Sequence, residues 1–270
     1  MTPVPTLGPR TAATQARECI EQGADVILAA GGDGTINEIA NGMVGFDVPL
    51  GILPGGTANV LAAELGVSVD MTRAAHNLGT LLPVRIAAGL LENQRESRHF
   101  LLMAGAGLDA MVVYNVDAAL KASFGKIAYW LSGFSRLGRS LPEFDVHIDG
   151  RQFRCSFALV SRVRNYGGDL WIARDASLLS DSFAVVLFEG GHTLPYMKYL
   201  AGVITGRLKN MSGVRLLRTQ AVDLDCASDP GVHVQIDGEF AGRLPVRLTM
   251  TQNAITLLVP REFEELHRHG

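Results

Sequence analysis

Ala29-Ala30-Gly31-Gly32-Asp33-Gly34-Thr35-Ile36-Asn37-Glu38 is the stretch that decides how this chain folds. Ahead of it, Ala24-Asp25-Val26-Ile27-Leu28-Ala29 is a short apolar run of the kind that forms a buried parallel strand. Behind it, Ile36, Ile39, Ala40 and Met43 recur at helical spacing, so the glycines lie on a strand-to-helix turn. Glycine has no Cβ and tolerates positive φ, which lets a ligand approach that backbone closely. The helix that follows offers unpaired N–H groups and the positive end of its dipole, which suits a phosphate. Asp33, inside the turn, is a candidate to hold a Mg²⁺ that bridges phosphate oxygens. Turn chemistry alone also favours Gly and Asp. The flanking strand and helix supply the context that favours a phosphate site over a plain turn. The spacing is neither GxGxxG nor a P-loop with its Lys, so the dinucleotide fingerprint and Walker chemistry are both excluded.

The same pattern repeats downstream. Val48-Pro49-Leu50-Gly51-Ile52-Leu53 reads as a second strand and ends in Pro54-Gly55-Gly56-Thr57-Ala58-Asn59; a helix through Val60, Leu61, Ala63 and Leu65 stops at Gly66. Two glycine turns at one end of a parallel sheet mark the place where open α/β sheets bind ligands. A helix over Thr11 to Gln22, with Gly23 as its C′ residue, precedes the first strand, and one over Thr72 to Leu78 closes this half. After Leu82-Pro83 the character changes. Short alternating runs at 84–90, 99–106, 144–149, 152–161, 183–188, 214–219, 222–226, 232–236, 244–250 and 254–259 predict an antiparallel sheet or sandwich. The expected division is an α/β nucleotide-binding domain over 1–83 and a β-rich domain over 84–270, the last residues returning to the first.

Two helical segments interrupt the β-rich half, Val112 to Arg139 and Leu194 to Arg207. In the first, Phe124, Ile127, Leu131 and Phe134 share a face, with Lys121, Lys126, Arg136 and Arg139 nearby. The pattern fits an ordinary core face with solvated charges first, and a helix lying on a bilayer surface second.

With 270 residues and 47% hydrophobic content, the chain is long enough for a sizeable core. A net charge of −3 gives no global basic field, so nucleic acid is not an expected partner. Cys19, Cys155 and Cys226 are odd in number and lack CxxC spacing, which fits reduced thiols and neither a disulfide framework nor a zinc site. No apolar run reaches spanning length and Pro3, Pro5 and Pro9 interrupt the start, so the expectation is a cytoplasmic protein whose membrane contact is peripheral.

Three further clusters carry chemistry-bearing residues. Val234-Gln235-Ile236-Asp237-Gly238-Glu239 is a strand running into a hairpin signal whose two carboxylates can supply a general base. Ala104-Gly105-Ala106-Gly107-Leu108-Asp109-Ala110 places an acid after a glycine pair. In Ser177-Leu178-Leu179-Ser180-Asp181-Ser182-Phe183, Asp181 and backbone carbonyls could hold a hard cation.

In this order the motifs resemble the bacterial branch of the diacylglycerol-kinase-like lipid kinases, over nearly the whole chain. The resemblance rests on Gly31 to Glu38, Gly56-Thr57-Ala58-Asn59, Gly105 to Ala110, Phe124-Gly125-Lys126-Ile127-Ala128-Tyr129, Asp175 to Asp181 and Asp237-Gly238-Glu239. It implies a Rossmann-like α/β domain of the NAD-kinase/diacylglycerol-kinase type, joined to an antiparallel β-sandwich. It implies ATP- and Mg²⁺-dependent phosphorylation of a lipid hydroxyl such as that of diacylglycerol. By the same resemblance Gly31, Gly32, Asp33, Gly34, Thr35, Ile36 and Asn37 bind ATP, with Gly56 and Thr57 from the second turn. Glu239 is the implied proton acceptor, supported by Asp237 and Asp109, while Leu178, Asp181 and Phe183 are the implied ligands of a structural Mg²⁺. The family's usual opening strand, with its Asn-Pro turn, has no counterpart here. Two other readings share part of this layout: a soluble-metabolite kinase of the NAD-kinase type, and a non-catalytic nucleotide or lipid sensor.

Overall fold

A computed structural model describes residues 1–108, 110, 140–167, 170–192, 194–227 and 231–263. Asp109 and the basic, aromatic segment within 112–139 lie outside the described residues. The first half builds α1 (Ala12–Glu21), β1 (Ile27–Gly31), α2 (Asp33–Met43), β2 (Leu50–Pro54), α3 (Val60–Leu65) and α4 (Met71–Asn77). Gly23, just past α1, takes φ +88°, the left-handed cap expected of it. β1 and β2 run parallel, from Ile27↔Leu50 to Gly31↔Pro54, so both glycine turns leave the same end of the sheet.

Next come β3 (Leu82–Glu92), β4 (Ser97–Phe100), β5 (Met103–Gly107), β6 (Phe144–Ile148), β7 (Arg151–Cys155), β8 (Phe157–Ser161), β9 (Asn165–Gly167) and β10 (Leu170–Trp171). They are followed by β11 (Phe183–Phe188), α5 (Leu194–Thr205), β12 (Val214–Thr219), β13 (Ala221–Asp225), β14 (His233–Ile236), β15 (Glu239–Arg243) and β16 (Val246–Val259). Six strands form one sheet in the order β12-β11-β8-β5-β14-β15. An eight-stranded sheet runs β1-β2-β16-β13-β6-β7, with β3 on β16 and β4 on β3. β16 therefore belongs to both halves: its start pairs with β13 and its end lies parallel to β2, at Leu257↔Leu50.

The sandwich core lies between the two sheets, where Phe100, Phe144 and Val146 meet Ala104, Val160, Val185 and Val234. The other face of the six-stranded sheet is covered too. In β11, Phe183, Val185 and Leu187 enter the sandwich core, while Ala184, Val186 and Phe188 enter a second core shared with α1–α3 and α5. A strand buried on both faces reads as an unbroken apolar run, which is how Phe183-Ala184-Val185-Val186-Leu187-Phe188 appears in sequence. Among the described residues, no helix is long and apolar enough to cross a membrane.

Candidate active site

The two glycine turns meet backbone to backbone. Gly55 N donates to Gly31 O at 2.9 Å. A Cβ on Gly56 would lie 2.7 Å from Gly32 Cα, and one on Gly32 would lie 3.3 Å from Gly56 Cα. Close approach requires glycine at 56, while at 32 a Cβ would ask its neighbour to give by a few tenths of an ångström. None of Gly31, Gly32, Gly34, Gly55 and Gly56 has positive φ, so that part of the reading is corrected. The left-handed residue is Asn59, at φ +46°. Its amide closes the second turn on itself, accepting from Gly56 N at 2.9 Å and donating to Gly56 O at 2.8 Å.

The polar side chains of the first turn fasten it to other segments. Asp33 accepts from Val60 N at 3.0 Å and Leu61 N at 3.1 Å, capping α3 and tying it to α2. Glu38 accepts from Arg10 N at 3.0 Å and Ala12 N at 3.4 Å, at the start of α1. Asn37, buried, donates to the Asp237 carboxylate. Ile36 is core, and Thr35 packs its methyl against Gly31. What remains open toward a ligand is backbone: the first-turn N–H groups of α2 have no intrahelical acceptor. Exposed Gly55, Gly56 and Thr57 adjoin them.

The Asp-Gly hairpin comes to this turn from the far end of the chain. Asp237 and Gly238 sit at φ +49° and +82° between β14 and β15, as a type I′ turn requires. The Asp237 carboxylate accepts from the N–H groups of Leu101, Leu102 and Met103 at 2.9, 3.0 and 2.9 Å. Burial pushes this carboxyl up to about 6, against the pull of those donors and of Asn37. With every oxygen engaged, Asp237 is an anchor for the hairpin tip. Glu239, one residue past the turn, is directed at the first turn of α2: a Cβ on Gly34 would fall 2.5 Å from Glu239 Oε1. Glu239 Oε2 lies 3.4 Å from Arg98 Nη2. The Glu239 side chain keeps 43% of its surface exposed against 21% for Arg98, whose Nε is buried and without a hydrogen-bond partner.

Arg98 carries no motif, and sequence reasoning missed it. Its place comes from Asn41, which clips β4 to α2 by accepting from His99 N at 2.8 Å and donating to His99 O at 2.9 Å. Only the sheet pairing could have revealed it.

The implied structural Mg²⁺ ligands fit less well. Leu178 O accepts from Arg162 Nη2 at 2.8 Å, and that guanidinium is fully buried. A Mg²⁺ bound to the same carbonyl at about 2.1 Å would stand roughly 5 Å from the guanidinium. At an effective dielectric of about 20, that repulsion is about 7 kcal/mol. Asp181 is exposed, and among the described residues no three His, Cys, Asp or Glu side chains cluster as metal ligands would. The residues present do not fit a divalent ion on this loop.

Comparison with known proteins decides the family. Residues 1–88 match the model of the diacylglycerol kinase catalytic domain, and 103–259 match that of the YegS C-terminal NAD kinase beta sandwich-like domain. The chain belongs to the diacylglycerol kinase–YegS family. A diacylglycerol kinase of Bacillus subtilis is 29% identical over 93% of this chain and 82% of its own. One of Mycobacterium tuberculosis strain H37Rv is 25% identical over 90% of this chain and 79% of its own. A crystal structure of a diacylglycerol kinase from Bacillus anthracis superposes with a TM-score of 0.75 at 21% identity, covering 95% of this chain and 84% of that one. At that identity the superposition speaks for the fold, an α/β region joined to an antiparallel sandwich. Membership in the diacylglycerol kinase–YegS family makes the chain a phosphotransferase with an alcohol group as acceptor.

Proposed function

We propose that the chain is an ATP- and Mg²⁺-dependent lipid kinase that transfers the γ-phosphate of ATP to a lipid hydroxyl such as that of diacylglycerol. The observation that carries this reading is the Glu239 carboxylate lying against Gly34, in the first turn of the helix that follows Gly31-Gly32. Phosphoryl transfer needs positioning, neutralisation of charge and one base on the nucleophile. In this reading the backbone of Gly31 to Thr35 and of Gly56-Thr57 takes the phosphates. Mg²⁺ arrives with ATP and neutralises phosphate charge. Each Asp33 oxygen accepts one N–H and keeps a lone pair, so this carboxylate fits a hydrated Mg²⁺. Glu239 takes the proton of the lipid hydroxyl, with Arg98 steadying Oε2 and leaving Oε1 toward the phosphates. Asp237 positions the hairpin and does not itself move a proton. Residues 1–83 with the end of β16 form the nucleotide half, and the rest of the β-rich half walls the acceptor pocket.

The test is transfer of labelled phosphate from MgATP to a panel of hydroxyl lipids in mixed micelles, with NAD alongside. Glu239→Gln should retain its thermal midpoint and lose turnover about a hundredfold or more, the usual contribution of a positioned base. Unchanged turnover in that variant removes the base. Phosphorylation of NAD and of no lipid moves the chain to the metabolite kinases, and nucleotide binding without any transfer leaves a sensor.

A further inference from the structure

Arg162 heads the large side chains with no exposed surface, and nothing in the proposed reaction uses it. It lies in Phe157-Ala158-Leu159-Val160-Ser161-Arg162-Val163, an apolar run that a charge interrupts. Its guanidinium donates to Leu178 O at 2.8 Å, and Nη1 lies 2.8 Å from Met250 Sδ. Its Nε is buried with no hydrogen-bond partner. Its backbone N–H donates to Leu102 O at 2.8 Å, in the same short segment whose N–H groups hold Asp237. Burial lowers the guanidinium to about 10, and Asp237 and then Asp181 pull it back up. A cation buried without an ion pair in contact is costly unless nearby anions balance it. Here the anions are the buried anchor of the hairpin and the aspartate of the 177–182 loop.

We infer that Arg162 is the resident cation of this loop: its guanidinium takes the place that a structural divalent ion would fill, holding Leu178 O and balancing Asp237. The 177–182 loop is then set by a side chain, and free Mg²⁺ matters to this protein only through its nucleotide. The planar fork adds to the charge, because it reaches Leu178 O and Met250 Sδ at once, whereas a lysine ammonium is a point charge on a flexible stem.

The experiment uses the full chain without nucleotide, so it is blind to whether the lipid-kinase reading holds. Thermal unfolding is followed by circular dichroism in millimolar Mg²⁺ and in excess EDTA, with elemental analysis of protein purified in Mg²⁺ throughout. The expected result is coincident midpoints and far less than one divalent ion per chain. A midpoint that EDTA lowers by several degrees and Mg²⁺ restores, or a stoichiometric bound ion, overturns the inference. Arg162→Met should lower the midpoint by about 10 °C whether or not Mg²⁺ is present, and Arg162→Lys by less, because the charge remains. An Arg162→Met protein as stable as the wild type also overturns it. Should that variant fail to fold, the wild-type chelation result decides.

Discussion

Asp33, Asn37 and Glu38 look in sequence like ligand-binding side chains, and each is bonded to another part of the protein: the start of α3, the Asp237 carboxylate, the start of α1. The side chains of the turn are committed to other segments, and what it leaves bare is backbone. Gly34 is where this matters for chemistry. An alanine there would place Cβ 2.5 Å from Glu239 Oε1, and the obstacle is the end of a flexible side chain, which can move. Gly34 also sits inside α2 without positive φ, where alanine is the better helix former by up to about 1 kcal/mol. Gly34→Ala should therefore leave stability unchanged or slightly raised, while turnover falls about a hundredfold as the carboxylate is pushed aside. Urea denaturation read beside a phosphate-transfer assay checks both; retained turnover would mean that the Oε1 position is irrelevant. At this scale the sequence was a good guide to which residues gather, and it did not show the backbone partners that fix them. Gly31 to Asn37, Gly56, Asp237 and Glu239 do converge. Yet Asp33 and Asp237 hold backbone N–H groups, a role that depends on chain segments 27 and 134 to 136 residues away. No local pattern encodes such a partner.

Between elements, the decisive contact is that of the two glycine turns. Gly56→Ala differs from Gly34→Ala because its Cβ would meet the backbone of Gly32 at 2.7 Å and Asn59 Oδ1 at 3.0 Å. Backbone cannot step aside without parting β1 from β2 or opening the Asn59 clasp. This variant should lose about 1–3 kcal/mol of stability, the usual cost of overpacking, and should weaken nucleotide binding as the cradle widens. Urea midpoints and nucleotide titration test it, and a variant as stable as the wild type would show the turns to be loosely apposed. The elements themselves were largely legible, since α1, α2, β11 and β12 fall where periodicity puts them. The exceptions are informative. The run at 99–106 is two strands, β4 and β5, because Leu101 and Leu102 turn their N–H groups toward Asp237. The run at 152–161 breaks at Ser156, whose hydroxyl bonds Tyr196 of α5 at 2.7 Å. Conversely, 244–250 and 254–259 merge into β16, with a register shift between Thr251 and Ile255 and Asn253 at φ +48°. There Arg85 donates to Asn253 O at 2.8 Å and to Phe46 O at 2.6 Å, bracing the irregularity. A bulge of this kind looks like a turn in sequence, because Asn tolerates a left-handed backbone in both.

Across the whole molecule, the ladder of β3 and β16 runs from Arg247↔Glu92 to Val259↔Leu82 and joins the parallel strands β1 and β2 to the sandwich strands β13, β6 and β7. Composition changes near Leu82-Pro83, yet hydrogen bonding does not stop there, because β3 begins at Leu82 and pairs at once with the last strand. A split of the polypeptide by composition thus need not be a split in cooperativity. Leu257 tests this. It is fully buried in the end of β16, opposite both Leu50 of β2 and Val84 of β3. Leu257→Ala should cost about 2–5 kcal/mol, the range for deleting a buried leucine side chain. If the sheet unfolds as one unit, the loss registers equally in the most protected amides of β1–β2 and of β6–β7, although β6 and β7 do not touch Leu257 in the sheet order. Native-state hydrogen exchange measures this directly, and calorimetry should give one transition whose van't Hoff and calorimetric enthalpies agree. Loss of protection confined to β1–β2 would mean that the nucleotide half opens alone about a hinge in β16. The joint between Gly34 and Glu239 would then be a mobile one, made and broken with each opening. The single ladder argues for the opposite within its own sheet; Glu239 stands on the six-stranded sheet, and its tie to the glycine turn is the Asp237 carboxylate, held by Asn37 of α2 and by the N–H groups of Leu101 to Met103.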